Sequence, residues 1–313
     1  MSVLTRDARK EINELNAEIL EVVQALGGSG GQYRRERQKG IKAVVSEIYS
    51  PPRVTAATKL LPELKVIPGF ALDLTTADAD GKLWDFDSKI MRDRAMQKVK
   101  DERPMLLVGS PMCTAFSAIH AINKARLDPA VIERELIACR LHLAWFCHLY
   151  FKQFARCAYF LHEHPAWATS RQLGCVVKIL AMERVEEVVG DQCQYGQSND
   201  QGDPLKKPTR FMSNSGAALA QLGNRCRGRN GECTKPGGGR HGTCTGQAAR
   251  KAAVYPFKLR KVILSESGTN SEKMVGSPTA RSVSSRATRR LERRAAREAC
   301  LQVMEHRCRG REL

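Results

Sequence analysis

The stretch from Arg103 to Ser117 most constrains how this chain of 313 residues folds. Its apolar run from Met105 to Val108 is typical of a buried strand, and Gly109 and Pro111 end that strand in a tight turn. The turn delivers Cys113 just beyond the strand. Doubly wound α/β proteins keep their chemistry at this place, the carboxyl edge of a parallel sheet.

Two later stretches have the same build. An apolar run at 158–161 leads into His162-Glu163-His164-Pro165, and a run at 185–189 leads into a polar cluster at 191–196. Such clusters converge where parallel strands end. The sequence therefore predicts an α/β fold, a Rossmann-like and mostly parallel sheet with helices on both faces. We expect an N-terminal helix and a disordered basic C-terminal tail to flank it.

The predicted elements alternate between strand and helix, as in a parallel sheet with crossover helices. We predict strands near 42–49, 69–74, 105–108, 158–161, 185–189 and 206–214. We predict helices near 55–64, 88–102, 128–154, 169–184, 215–222 and 247–264, the last interrupted at Tyr255-Pro256.

The domain organisation follows from shifts in composition. Residues 1–26 carry a heptad pattern, and 27–42 form a flexible basic linker. Residues 43–264 form the α/β domain, and 265–313 are a disordered basic tail with a possible helix at 286–306. The heptad positions between residues 8 and 26 predict either self-association or packing of this helix on the domain.

The chain is strongly basic, with a formal net charge of +18. Thirteen Lys and Arg lie between Lys206 and Lys261 against one acid, Glu232. This predicts nucleic acid as the partner, DNA rather than RNA, although a solvated basic face is the alternative. Eleven cysteines without a recognisable signal peptide indicate a reducing compartment, and no apolar run suits a membrane span. We expect an intracellular protein, in the nucleus rather than the cytoplasm, without membrane contact.

The nine residues from Gly109 to Ser117, Gly-Ser-Pro-Met-Cys-Thr-Ala-Phe-Ser, resemble the catalytic loop of DNA cytosine-5 methyltransferases, Gly-Gly-Pro-Pro-Cys-Gln-x-Phe-Ser. Five positions agree, including the cysteine. The resemblance implies that Cys113 is a nucleophile, because C5 of cytosine becomes reactive only after a thiolate adds at C6. A buried structural thiol after a strand is the alternative.

Two further stretches extend this resemblance. Phe160 to Pro165 is similar to the family's strand ending in Glu-Asn-Val or Glu-Asn-Pro, with His164 in place of Asn. The resemblance implies that Glu163 holds the flipped base, whereas a solvated acid at a strand end is the alternative. Tyr195-Gly196 followed by Lys-Pro-Thr is similar to a phage-like branch, which implies supporting roles for Lys207 and Arg210. Lys206, Arg225, Arg227 and Arg229 complete the predicted nucleic-acid surface.

The part of the chain that would bind the cofactor resembles this family less well. The family begins with Phe-x-Gly-x-Gly after the first strand, where glycines let the backbone approach S-adenosylmethionine. Here the equivalent turn is Ser50-Pro51-Pro52-Arg53. The resemblance still implies S-adenosylmethionine as cofactor, but the missing glycine loop puts its binding in question. The predicted cofactor residues are Ser50, Asp73, Asp85 and Ser110.

A second resemblance concerns origin. Residues 49–54, 72–76, 109–114, 162–165 and 191–196 are similar to domains of copia-type retroelement polyproteins of protists. This implies a mobile-element origin. Together with the missing glycine loop, it makes a catalytically inactive nucleic-acid-binding protein the alternative to an enzyme.

The segment 225–246 is rich in Cys, Arg and Gly. Cys226, Cys233, His241 and Cys244 are zinc-type ligands, with six, seven and two residues between successive members. Neither paired Cys-x2-Cys nor a retroviral knuckle has this spacing. We therefore expect an arginine-rich loop that faces nucleic acid and no metal, and a zinc site is the alternative.

Overall fold

The computed structural model describes residues 43–117 and 127–265. The heptad helix at 1–26, with its predicted self-association, lies outside the described residues. So do the linker at 27–42, all of the tail but residue 265, and the possible helix at 286–306. None of the helices that the structure describes is long and apolar enough to cross a bilayer.

The described residues form an α/β fold around a six-stranded sheet. Its strands are β1 (Ala43–Ile48), β2 (Val66–Leu72), β3 (Leu106–Gly109), β4 (Tyr159–Pro165), β5 (Glu186–Asp191) and β6 (Pro208–Ser213). The strand order is β2-β1-β3-β4-β6-β5. β1 to β4 pair in parallel, and β6 inserts antiparallel between β4 and β5. The predicted mostly parallel sheet is confirmed.

Helices cover both faces of this sheet, as predicted. They are α1 (Val54–Ala57), α2 (Lys89–Glu102), α3 (Pro129–Ala155), α4 (Gly174–Leu180), α5 (Gly216–Leu222), α6 (Gly246–Lys251) and a last helical segment at 257–265. Buried side chains of α2, α3 and α4 form a core on one face with Phe160 and Met212. Buried side chains of α1, α5 and the last segment form a second core with Leu161 and Phe211.

Two predicted helices are shorter than expected. The helix predicted at 55–64 ends as α1 at Ala57 and continues as two 3-10 turns, because Leu61 leaves the helical region and Lys65 is left-handed. The helix predicted at 169–184 consists of a 3-10 turn and α4, because Leu173 between them is extended. Local pattern marked both segments as helical, but it did not show these breaks.

β4 is longer than its apolar run. The strand was predicted to end at Leu161, and it continues to Pro165 because β6 pairs with it along this length. Glu163 lies opposite Phe211, and His164 lies opposite Arg210. The predicted polar cluster therefore belongs to the strand itself, and its three ionisable side chains are buried.

Candidate functional site

The loop after β3 carries Cys113 along the carboxyl edge of the sheet. It leaves the strand at Gly109, and Cys113 directly precedes a short 3-10 turn. A Cβ atom on Gly109 would lie 1.7 Å from Phe146 and 2.7 Å from the Tyr150 hydroxyl. Real atoms never approach so closely, so only glycine lets β3 pack against α3 here. This contact fixes where the Cys113 loop begins.

His164 holds the middle of the same loop. Its Nε2 lies 3.0 Å from the Pro111 carbonyl, and its Nδ1 lies 2.8 Å from the Ser170 hydroxyl. A carbonyl only accepts, so Nε2 carries the proton and Nδ1 accepts from Ser170. Burial lowers the pKa of His164, which agrees with a neutral ring. His164 thus ties the Cys113 loop to β4, a role that the sequence did not reveal.

Cys113 and Glu163 lie close enough for their charges to interact. Burial, and then the negative charge of Glu163, raise the pKa of the Cys113 thiol to about 11, whereas Lys207 lowers it. The thiol is therefore protonated near neutral pH in the free protein. The structure brings together three residues that the sequence analysis singled out separately: Cys113, Glu163 and Lys207.

Tyr255 covers this group from the C-terminal side. Its hydroxyl lies 2.8 Å from that of Ser110, the residue after β3. Burial raises the pKa of Tyr255 well above its ordinary value, and the charge of Glu163 adds to this rise. The sequence analysis noted Tyr255 only as an interruption of a helix. Nothing local in the sequence indicates that it reaches the carboxyl edge of β3.

Arg210 is not part of the Cys113 and Glu163 group. It pairs with His164 across the ladder, so its side chain projects on the opposite face of the sheet from Glu163. There its guanidinium donates to the Ala166 carbonyl and, at 2.6 Å, to a Glu187 carboxylate oxygen. Arg210 thus joins β6 to β5 and to the end of β4, which is a structural position.

The turn after β1 tests whether the cofactor of the resembling family fits. Backbone N–H groups of Arg53 and Thr55 donate to Glu47 Oε1 at 2.8 and 2.9 Å, and that of Val54 donates to Oε2 at 3.3 Å. Proline has no N–H, so Pro51 and Pro52 offer no donors. The backbone N–H groups at the start of α1 are therefore already hydrogen-bonded to the Glu47 carboxylate of the chain itself.

The positive-φ position in this turn is also not a glycine. Tyr49 has a φ of 60°, and its ring packs against Phe86 at 4.7 Å and Phe146 at 5.5 Å. Its hydroxyl is buried without a hydrogen-bond partner among the described residues. A backbone that must approach a cofactor closely uses glycine here. The residues present therefore do not fit S-adenosylmethionine in the manner of the family.

The four predicted cofactor residues make contacts within the chain. Ser50 Oγ donates to the Pro51 carbonyl at 2.9 Å, and Ser110 pairs with Tyr255. Asp73 Oδ1 accepts from Thr75, and Asp85 Oδ1 accepts from the Asp87 N–H. The contacts of both acids stabilise local turns. None of these contacts points to a bound nucleoside.

Two cations bind the segment after α6, and a third binds the basic loop. Lys207 Nζ donates to the Ala252 carbonyl at 3.1 Å, and Arg53 Nη1 donates to the Ala253 carbonyl at 2.7 Å. Both carbonyls follow α6, where cations are favourable. Lys206 Nζ donates to the Cys226 carbonyl at 3.1 Å. The two predicted nucleic-acid lysines thus also hold the fold together.

The basic loop at 225–241 follows α5 in the chain, and its first residues contact the end of β5. Asp191 is fully buried, and its Oδ2 accepts from the Cys226 N–H at 2.7 Å and from Arg225 Nε at 3.0 Å. Arg225 is therefore a partner of Asp191, whereas Arg227 and Arg229 are exposed. From the sequence, Asp191 was only the first residue of the polar cluster at 191–196, and nothing indicated that it anchors the basic loop.

Four sulfur and nitrogen ligands meet beside this anchor. Cys193, Cys226, Cys233 and His241 place one ligand atom each within 4.8 Å of one another. Three of them are among the four predicted weak candidates. Cys244 is not in the group, and Cys193 from the turn after β5 takes its place.

Comparison with known proteins gives a distant structural neighbour. No protein-family model matches the chain, and no curated protein matches it. The solved structure of an Entamoeba histolytica methyltransferase, EhMeth, is similar with a TM-score of 0.31 and 9% sequence identity. The similarity covers 55% of this chain and 52% of that one, so this chain spans about half of the neighbour's length. The strand order and the helix layers of this chain define its α/β fold independently of this neighbour.

Proposed function

We propose that this protein binds DNA through the basic loop at 225–241 and receives a cytosine base between Cys113 and Glu163. One observation carries the proposal: the Cys113 thiol and the buried Glu163 carboxylate lie within electrostatic reach of each other, at the same edge of the sheet where the basic loop is anchored. Sequence-independent binding comes from cations near phosphates, and selectivity comes from groups that reach a base. This edge offers both.

Glu163 suits the recognition of an extruded base. A buried carboxylate accepts hydrogen bonds from the amino group of cytosine, and a base taken out of the stack is read along this edge. Glu163 is 8% exposed, and its side chain is hydrogen-bonded to Tyr255. A carboxylate has two oxygens and accepts several hydrogen bonds, so this one contact leaves acceptor capacity for a ligand. Glu187 and Asp191, in contrast, each bind an arginine.

The test compares duplexes that differ at one position. Extrusion costs least for an unpaired base, so the full-length protein should bind a duplex with one unpaired cytosine more tightly than the fully paired duplex. Fluorescence anisotropy measures both affinities. Glu163→Gln should lose this preference and keep the affinity for the paired duplex.

A duplex with one unpaired thymine is the matched control, because it bends equally and offers no amino group. Equal binding of the unpaired-cytosine and unpaired-thymine duplexes would contradict the base-recognition part of the proposal. Absence of binding to any duplex or single strand would contradict all of it.

A second candidate function is DNA cytosine-5 methyltransfer, which the juxtaposition of Cys113 and Glu163 favours. In that reaction the Cys113 thiolate adds to C6 of the base, and Glu163 supports the ring as electron density moves to C5. The backbone N–H groups at the start of α1 are bound to Glu47 and are not free to bind S-adenosylmethionine, which argues against methyltransfer. Transfer of a labelled methyl group from S-adenosylmethionine to DNA by the wild type, lost in Cys113→Ser, would establish it.

A further inference from the structure

The four ligand atoms of Cys193, Cys226, Cys233 and His241 have the spacing of a tetrahedral metal centre. Cys226 Sγ lies 3.9 Å from Cys233 Sγ and 3.5 Å from His241 Nε2. Zinc bonds of about 2.3 Å to sulfur and about 2.0 Å to nitrogen place such ligands about 3.8 and 3.5 Å apart. A disulfide would require about 2.05 Å between the sulfurs.

Neighbouring groups donate hydrogen bonds to the sulfurs. The Thr234 N–H and hydroxyl point at Cys226 Sγ at 3.4 and 3.5 Å. Gln194 Nε2 lies 3.6 Å from Cys193 Sγ and 3.8 Å from Cys233 Sγ. Donors directed at sulfur stabilise the thiolate that a metal needs, and such outer contacts accompany metal sites generally.

The backbone of the loop holds Cys233 and His241 face to face. The Cys233 N–H donates to the Gly239 carbonyl at 2.8 Å, and the His241 N–H donates to the Gly231 carbonyl at 2.7 Å. A Cβ atom on Gly238 would lie 2.9 Å from Cys233 Cβ and 2.8 Å from the Lys235 carbonyl. The glycines therefore let the loop close around the ligands.

We propose that these four residues bind one structural zinc ion. Four protein ligands close the coordination shell, so the site holds no open position for a substrate or water. Cys193 and Cys226 are buried, and Cys233 and His241 are partly buried. Three thiols release their protons to solvent as the ion binds, and His241 binds through its neutral ring.

The ion would fasten the basic loop to the body of the protein. Cys193 lies in the turn after β5, and the other three ligands come from the loop. Within this loop only Cys226 is buried, so apolar packing contributes little to its order. A metal centre supplies that stability in segments too small for a core. Zinc binding at this site does not depend on DNA binding.

The experiment measures bound metal in the full-length protein expressed with zinc. Elemental analysis should find one zinc per chain in the wild type and none in Cys193→Ser. Cys244→Ser is the matched control, because this cysteine lies next to the same loop but outside the group. It should keep one zinc per chain. Zinc that is absent from the wild type, or lost in Cys244→Ser and kept in Cys193→Ser, would overturn the proposal.

A second measurement covers the case in which ligand variants do not fold. Cobalt replaces zinc in the wild type, and its visible bands should report a tetrahedral sulfur and nitrogen site. His241→Cys should retain the metal and raise the thiolate-to-cobalt absorption by about one third, from three thiolates to four. Octahedral cobalt bands in the wild type, or no change in His241→Cys, would contradict the assigned ligands.

Discussion

At the scale of single residues, His164 and Glu163 are neighbours on β4 whose side chains lie on opposite faces of the sheet and have different roles. Side chains alternate across a strand, so His164 faces the α3 side, and Glu163 faces the side of Tyr255. Both ring nitrogens of His164 are hydrogen-bonded, to Pro111 and Ser170, whereas the charge of Glu163 raises the pKa of Cys113. The first residue therefore supports the loop, and the second defines the electrostatics of the thiol.

Replacement of His164 by alanine should destabilise the fold by roughly 2–4 kcal/mol. The variant leaves the Pro111 carbonyl and the Ser170 hydroxyl buried without partners, and each such group costs about 1–3 kcal/mol. Urea unfolding measures the change. His148→Ala is the matched control, because His148 is exposed on α3, and its free energy of unfolding should hardly change. Equal stability of the two variants would show that the bridge is dispensable.

The reactivity of Cys113 should report its raised pKa. With a pKa of about 11, only about 0.1% of the thiol is ionised at pH 8, and the fraction rises tenfold with each pH unit. Alkylation by iodoacetamide, followed by peptide mass spectrometry, should therefore be slow at pH 8 and faster at pH 9.

Glu163→Gln should accelerate this alkylation, because the carboxylate raises the pKa of Cys113 and its removal lowers it. Glu186→Gln is the control, since Glu186 is an exposed acid at the start of β5, away from the carboxyl edge of the sheet. An unchanged rate in Glu163→Gln would mean that the two groups do not interact in solution.

At the scale of elements, the end of β3 depends on its packing against α3. The strand has four residues, all buried, and it positions the loop that carries Cys113. The start of α1 depends in the same way on Glu47, which reaches from β1 to cap the helix. Each of these two turns at the carboxyl edge of the sheet therefore depends on one contact between a strand and a helix.

Gly109→Ala should lower stability by about 1–3 kcal/mol or more, because the added methyl group overlaps the Phe146 ring. Gly174→Ala is the matched control. Gly174 begins α4, and a Cβ atom there meets nothing within 4 Å. Alanine should raise stability slightly at this position, by about 0.5–1 kcal/mol. Thermal unfolding compares the two, and a tolerated Gly109→Ala would contradict the packing described here.

At the scale of the whole molecule, the positive charge is concentrated in the C-terminal half of the described chain. Part of it is structural, because Lys206 and Lys207 are bound to backbone carbonyls. Arg53, from the N-terminal half, is bound to a backbone carbonyl in the same way. Arg227 and Arg229 are exposed, and they are the loop cations best placed to reach phosphates. Net charge alone does not separate these two groups, but their contacts do.

Substitution of Arg227 and Arg229 by alanine should weaken DNA binding and its dependence on salt. Each phosphate contact contributes about 0.9 to the slope of log affinity against log salt, so the slope should become shallower by about 1–2. Arg134→Ala with Arg140→Ala removes the same charge from exposed positions on α3 and should leave the slope nearly unchanged. Equal slopes in the two double variants would show that the charge acts without a defined surface.

The sequence by itself determined the element types and their order, because apolar periodicity is local. The long helix α3 begins at Pro129 as predicted, and the run at 105–108 forms the strand that presents Cys113. The excess of cations near the C-terminus was also evident, since charge is counted directly from composition. These features need no knowledge of which distant residues meet.

Only the tertiary structure decided which side chains share a site. Cys193 and not Cys244 joins Cys226, because β5 ends beside the loop. Arg210 pairs with Glu187 and not with the Cys113 group, because the register of β6 turns its side chain to the other face. Tyr255 reaches Ser110 across 145 positions of chain. Such contacts depend on strand order and register, which residue periodicity does not contain.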